Sequence, residues 1–491
     1  MSLRTGSFLL GMAALAACGG TVNGDDTMGD DVVDPPDTTA PVLMSSTPAD
    51  NATKVAPLAA LTFTFDEALD PTSVTNASVT VTYPNPTYIA QINGTVAYDA
   101  ASHTITFAPK LPLLAGLKYT VKLASSIKDE AGNAFGGDDL SFISSVNNIV
   151  KEVYYDTSTG QANYWSQYTL NANGRVAKLV SFGAGPDTVA LTPDDVADQH
   201  IEQMYNAAGQ VTEYRYFGPG ADTRYNTSDD VIRSVQYLTY DAEGRQRGQS
   251  LVTGAGLDGS WGTADDVLTN HQTYTSTGNV IRYTVFSGPG NDGVWKTPDD
   301  RTTTYYEYTY NALGALERWD TYSSGPDQLA KTSDDVMSEY YEYTNDDNGT
   351  LLTTRYRNSP GPDMTWLTAD DLTSSYEAYQ VDANGYRIGL TYSNNPGSDA
   401  VYGTADDVIR GRIGYTSDTN GLQTSVTSFN GAGPDAMWGT ADDPVSSYRK
   451  FTYDLGGQRT DQKYYSSPGP DMVWKNQDDR VFSIVEFDTA H

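Results

Sequence analysis

Gly290-Asn291-Asp292-Gly293-Val294-Trp295-Lys296-Thr297-Pro298-Asp299-Asp300 is one copy of a stretch that occurs nine times in this chain. Its fixed places are Gly-x-Asp-x6-Asp-Asp. The nine acid triads are Asp187, Asp194 and Asp195; Asp222, Asp229 and Asp230; Asp258, Asp265 and Asp266; Asp292, Asp299 and Asp300; Asp327, Asp334 and Asp335; Asp363, Asp370 and Asp371; Asp399, Asp406 and Asp407; Asp435, Asp442 and Asp443; and Asp471, Asp478 and Asp479. Successive copies start 34 to 36 residues apart. A fixed period of this length marks a repeat array, here over residues 147–491.

Between the acidic loops lies a second fixed feature, Asn or Asp followed three residues later by Gly. It reads Asn171 to Gly174, Asn206 to Gly209, Asp241 to Gly244, Asn311 to Gly314, and on to Asp454 and Gly457, with Thr275 in place of the acid or amide in the fourth copy. This is the preference of a type I turn. Six residues before the Gly stand Tyr168, Leu238, Tyr308, Tyr343, Tyr379, Tyr415 and Phe451; eight after it stand Phe182, Phe217, Phe286, Tyr322, Phe429 and Tyr465. The flanking residues alternate as strands do, Tyr306, Tyr308 and Tyr310 sharing one face. Each repeat therefore reads strand, tight turn, strand, acidic loop, and identical hairpins laid side by side stack their aromatics into ladders. The fold class expected is all-β.

Tyr240-Asp241-Ala242-Glu243-Gly244-Arg245 resembles the Tyr-Asp-x-x-Gly-Arg core of the RHS or YD repeats of bacterial surface proteins, with Tyr310-Asn311-Ala312-Leu313-Gly314 and Tyr453-Asp454-Leu455-Gly456-Gly457 as looser copies. The resemblance implies a spiral or solenoid sheet of β-hairpins. The acidic loop is no part of the usual repeat. Twelve residues follow Asp479, so the toxin delivery of some relatives is not expected here. A β-propeller is disfavoured, because two strands per period fall short of a four-stranded blade.

Three Asp in fixed register suggest calcium, a hard cation that takes oxygen ligands. With Asp292 at the fifth place of an EF-hand-like loop, Gly293 falls at the sixth, Trp295 at the eighth and Asp299 at the twelfth, but Gly288 and Gly290 stand where the first and third acids belong. All 27 Asp of the triads are thus candidate calcium ligands. The competing expectation is a capped turn. Thr297-Pro298-Asp299-Asp300 resembles a capping box around one helical turn, and Thr recurs at this place in eight copies, with Asn476 in the ninth. Trp261, Trp295, Trp366, Trp438 and Trp474 would then be plugs over the sheet edge.

Upstream, residues 41–146 carry short alternating runs separated by turns, the pattern of a sandwich. Leu61, Phe63 and Phe65 fall on one face of their strand. Ser46-Thr47-Pro48-Ala49-Asp50, Phe63-Thr64-Phe65-Asp66-Glu67, Lys128-Asp129-Glu130-Ala131-Gly132-Asn133 and Leu140-Ser141-Phe142 resemble the S-layer-type bacterial Ig-like domain. That implies a seven-stranded spacer or adhesive module. Asp66 and Glu67 point to opposite faces and read as a solvated strand end.

The N-terminus reads as targeting sequence. Arg4 and the apolar run Phe8-Leu9-Leu10-Gly11-Met12-Ala13-Ala14-Leu15 precede Leu15-Ala16-Ala17-Cys18, which resembles a bacterial lipobox. Residues 1–18 are then a lipoprotein signal and Cys18 the lipidated residue, a membrane anchor, with Gly19 favouring the outer membrane and cell surface by the same resemblance. Residues 19–40, rich in Asp, Gly and Pro, form an acidic, disordered tether. Cys18 is the sole cysteine, so no intramolecular disulfide is expected. A formal charge of −33 excludes a nucleic-acid reader. His103, His200, His271 and His491 are scattered without zinc spacing, and a carboxylate group that occurs nine times suits architecture better than catalysis. The sequence thus describes a lipid-anchored surface protein of structural or adhesive kind, calcium-stabilised if the loops bind the ion, with a surface polysaccharide or protein as partner. The alternative is a carbohydrate-binding or carbohydrate-degrading surface protein whose aromatic ladders form a sugar platform.

Overall fold

The computed structural model describes residues 37–487 apart from 85–88, 147, 278, 313, 347–348 and 470. The signal sequence, Cys18 and the tether as far as residue 36 lie outside the described residues.

Alternation builds the first domain. Leu61–Phe65 buries Leu61, Phe63 and Phe65, and Lys118–Leu123 buries Tyr119, Val121 and Leu123, while the residues between them face outward. One sheet of four strands runs Leu43–Thr47, Leu61–Phe65, Thr104–Pro109, Gly94–Asp99; the facing sheet of five runs Ala52–Val55, Asp138–Ser144, Lys118–Leu123, Val79–Pro84, Ile89–Ile92. The side chains between them form one core around Leu61, Phe63, Ile105, Tyr119 and Val121. The sandwich has nine described strands where seven were expected; the additions include Ala52–Val55 and Ile89–Ile92, edge strands of four residues each. Asp66 is exposed beyond its strand, where it accepts the Val42 N–H at 2.8 Å.

The array is not an open spiral or solenoid. Its strands, from Ile149–Tyr155 to Arg480–Phe487, form a closed barrel of twenty, each antiparallel to the next. Nine tight-turn hairpins supply eighteen strands, and Ile149–Tyr155 and Arg480–Phe487 add one at either end. An even number lets the first and last strands pair antiparallel, with Val153 opposite Ile484. Closure satisfies the backbone groups that two free sheet edges would leave exposed. At about 4.8 Å per strand the ring is roughly 96 Å around and about 31 Å across, measured perpendicular to the strands.

The tight turns form as their sequence requires. Asn171 accepts the Gly174 N–H on its carbonyl at 2.9 Å, and its side chain accepts the Asn173 and Arg175 N–H groups at 3.0 Å. Gly174 has φ +74°, the left-handed conformation that closes this turn, and a bulge follows in the strand register between Thr169 and Leu170. All nine tight turns lie at one end of the barrel, and all nine acidic loops at the other.

Two aromatic ladders run across the strands, one on each face. On one face Tyr274, Tyr283 and Tyr306 stack in sequence, as do Trp319, Tyr341 and Tyr356, with ring centroids 4.7 to 5.6 Å apart. On the other, beside the acidic loops, the pairs are Trp165 with Phe182, His200 with Phe217, His271 with Phe286, Tyr305 with Tyr322 and Tyr448 with Tyr465. Each such pair adds about 0.5–1.5 kcal/mol beyond area burial.

Candidate functional site

The acidic loops form a ring at one rim, and every fixed place in the motif has a task in closing its loop. The first Asp accepts on Oδ1 the N–H two residues ahead in all nine copies, as Asp292 does from Val294 at 2.7 Å. The middle Asp accepts the N–H of that first Asp on Oδ2 in all nine, with Asp292 to Asp299 at 3.2 Å. The third Asp accepts the N–H four residues before it, again in all nine, with Lys296 to Asp300 at 2.7 Å. The donor of that last bond always has positive φ: Lys296 at 69°, Leu367 at 68°, Gly403 at 93°. The Gly that opens the motif is required by contact, since a Cβ on Gly290 would sit 2.2 Å from the Asp299 carbonyl oxygen.

The Thr hydroxyl does something other than cap. In all eight copies that have it, it donates to Oδ1 of the middle Asp, as Thr297 does to Asp299 at 2.7 Å. At Thr192, Thr297, Thr332 and Thr368 the Thr backbone N–H reaches the third Asp, as Thr192 does to Asp195 at 3.3 Å, the reciprocal half of a capping box. The expected helical turn is replaced by a turn built around carboxylates. These donors hold the middle carboxylates, among them Asp194, Asp229, Asp334 and Asp370, below the usual carboxylate range; the Thr hydroxyl is the largest cause and the N–H of the first Asp the next.

The third Asp also ties its loop to the barrel wall. The Trp165 indole N–H donates to Asp195 at 2.6 Å, the Tyr305 hydroxyl to Asp335 at 2.8 Å and the Tyr340 hydroxyl to Asp371 at 2.6 Å; the Tyr448 hydroxyl donates to Asp479. His200 Nδ1 lies 2.7 Å from Asp230 Oδ2, and Arg412 is 4.0 Å from Asp443. Each donor lies on a strand of the preceding hairpin, so the loop leans back over the aromatic pair. Trp366 then meets Tyr340 edge-on at 5.9 Å and Trp474 meets Tyr448 at 5.7 Å, as the expected plugs should. Sequence reasoning missed these ties, though the signal was present: the donor stands 30 or 31 residues before the second member of the Asp-Asp pair it reaches and, Trp165 apart, five after the pair before it.

As for calcium ligands, the middle Asp of the Thr-bearing loops accepts donors on both of its oxygens, as Asp299 does, while Oδ1 of Asp407 and of Asp479 is buried with no hydrogen-bond partner among the described residues. Only Asp327, Asp334 and Asp335 among the described triads bring one carboxylate oxygen each within 4.8 Å of one another. The four scattered histidines stay apart. His200 and His271 stack in the wall, His103 sits in the sandwich at φ 50°, and His491 lies outside the described residues.

At the opposite rim the first domain faces most of the tight turns. Leu58 and Ala56 meet Gly457 and Gly456, and Pro84 lies beside Gly244. Lys54 and Asn148 share a cavity of about 440 Å³ with turns 171–175 and 206–210, and Tyr83 and Lys110 share one of about 450 Å³ with the turns at Gly349, Gly385 and Gly421. Seven of the nine turns are engaged. Between the last sandwich strand, which ends at Ser144, and the first barrel strand, which begins at Ile149, Ser145 and Asn148 are buried.

Residues 37–144 match the bacterial Ig-like domain family. The Ig-like domain is therefore the lid of the barrel as well as its N-terminal neighbour. No curated protein matches the chain. Among solved structures, the copper resistance protein PcoC from Escherichia coli is 20% identical over 22% of this chain and 100% of its own, with a TM-score of 0.19. Domains 1–6 of the surface layer protein SbsC are 11% identical over 78% of this chain and 66% of theirs, with a TM-score of 0.18. A porin-like protein from Bacteroides uniformis is 11% identical over 69% of this chain and 97% of its own, with a TM-score of 0.24. Scores this low transfer no function.

Proposed function

We propose that this chain is a structural and adhesive cell-surface protein, held to the outer membrane by acyl chains on Cys18. The observation that supports the reading most is the closed barrel lidded by its Ig-like domain, one compact unit from Thr39 to His491, with nine loops fixed at a single rim. Each of the loops is spent on its own closure, and those of Asp195, Asp230, Asp335, Asp371, Asp443 and Asp479 also on a tie to the wall, which is an architectural use of acid residues. Turn closure is thus the reading of the triads that the geometry favours over calcium. The sugar-platform alternative loses support, because the ladder rings stack on one another at interplanar angles near 20°, which covers the faces a sugar would use. A membrane channel is not proposed. One strand face carries Arg282, Glu307, Arg318 and Asp320 and the other Gln272, Glu377 and Arg449, whereas a lipid-facing barrel wall needs a continuous apolar band.

The test is expression in a Gram-negative host with labelled fatty acid. The wild type should be acylated, fractionate with membranes and be cleaved by protease added to intact cells. Cys18→Ser should lose acylation and membrane partition. Equal acylation in the variant, or full protection from external protease, rejects the reading.

A further inference from the structure

We propose that the third hairpin of the barrel carries a binding site for a neutral saccharide of about two rings. This goes beyond the architectural reading and does not depend on the anchor. Where the flanking hairpins place stacked aromatic pairs under their loops, this one, made of Val231–Tyr240 and Gln246–Val252, sets Val235 opposite Val252. A cavity of about 780 Å³ lies between this hairpin and the loops around Asp266 and Trp295, with Tyr237, Ser250 and Val252 on the hairpin side, while Val235 is fully buried outside its lining. That volume lies in the range of small-molecule sites.

Its lining suits a ring bearing hydroxyls. Tyr237 and Trp295 offer aromatic surface for C–H faces, and Ser250, Glu213 and Asp266 offer acceptors for hydroxyl hydrogens. Asp266 is the third Asp of its loop, the place that takes an aromatic donor in the Tyr305–Asp335 and Tyr340–Asp371 ties. Val235 has no donor to give. Asp266 takes the Gly262 N–H at 2.8 Å and the Thr263 hydroxyl at 3.4 Å, which leaves acceptor capacity at the cavity wall. Burial, with Glu213 and Asp266 close by, pushes the Tyr237 hydroxyl up, so it stays a donor. Charge is balanced: Arg215 pairs with Glu213 at 2.8 Å, and Lys296 lines the same cavity as Asp266. A neutral ligand fits this balance better than an anion or a cation.

The test is calorimetric titration of the purified full-length chain with cellobiose and lactose, and with glucuronic acid and glucosamine as charged probes. A neutral disaccharide should bind, with Trp295→Ala about tenfold weaker, the equivalent of one aromatic contact. Val252→Phe places at the cavity wall the ring that Phe217 and Phe286 supply in the flanking hairpins. That variant should melt higher than the wild type and bind no sugar, which separates loss of the site from loss of the fold. The proposal is overturned if neither disaccharide binds, if the refilled variant binds as the wild type does, or if a charged probe binds more tightly than the neutral ones.

Discussion

The hydroxyl of Tyr340 donates to the Asp371 carboxylate at 2.6 Å across 31 residues of sequence, with the Tyr 1% and the Asp 5% exposed. This bond fastens a loop to the wall of the preceding hairpin. Tyr340→Phe keeps the ring but leaves a buried carboxylate short of a donor, so it should cost about 1–3 kcal/mol in a urea melt. A double-mutant cycle with Asp371→Asn should return a coupling energy well above zero; strict additivity would show that the tie contributes nothing.

The middle Asp of the loops makes stability depend on acid. Asp194, Asp229, Asp265, Asp299, Asp334, Asp370 and Asp442 all titrate below their ordinary value of 3.8, chiefly because a Thr hydroxyl donates to them. A carboxylate with a depressed folded pKa contributes fully above the unfolded value and loses that contribution as pH falls through the folded one. The urea midpoint should therefore hold down to about pH 4 and drop below it. Thr→Val at the eight loop threonines should flatten that drop.

Alkali acts through the ladders. Glu339, which accepts its hydroxyl hydrogen bond, and then burial push Tyr356 up to about 12, while burial pushes Tyr205, Tyr283 and Tyr379 to about 12. A group raised in the folded state stabilises fully below its unfolded pKa of 10.0 and ceases to as pH rises through the folded value. Tyrosinate absorbance and loss of β-sheet dichroism should rise together between these limits. Ionisation of most tyrosines near 10 with the sheet intact would contradict the burial.

Turn closure and calcium part company in a melting experiment. If the donors within the loops are what close them, the melting temperature should be equal in millimolar calcium and in chelator. Asp299→Asn should lower it in both, because both oxygens of Asp299 accept hydrogen bonds and an amide can replace only one. A rise with calcium that matched monovalent salt does not reproduce would favour the ion.

Closure predicts which deletions are tolerated. Removing one full period, Gly361 to Pro396, takes out two strands and leaves eighteen, an even number that can pair end to end. Stopping the chain before Arg480 removes the single closing strand and exposes two edges, so that variant should associate on a sizing column while the period deletion stays monomeric.

The hairpin unit was legible because its signals are local: Tyr306, Tyr308 and Tyr310 alternate, Asn311 and Gly314 make a turn, and the spacing repeats. Closure was not, since pairing of Val153 with Ile484 spans most of the chain and Ile149–Tyr155 lies outside the repeat. The sandwich was readable from Phe63, Phe65 and Val121, but its seat on Gly244 and Gly457 was not, as small turn residues carry no mark of what covers them. In the loops the Asp pattern was plain. What it serves became clear only with the donors Trp165, Tyr305 and Tyr340, each distant in sequence from the carboxylate it reaches.

The Ig-like domain that spans seven of the nine turns acts as a gauge for the size of the ring. Each extra period would add two strands, hence about 10 Å of perimeter and roughly 3 Å of diameter. Leu58 and Pro84 could then no longer reach opposite sides of the mouth at once. A tenth period inserted between Gly244 and Gly457 would therefore have to be matched by a domain that does not repeat.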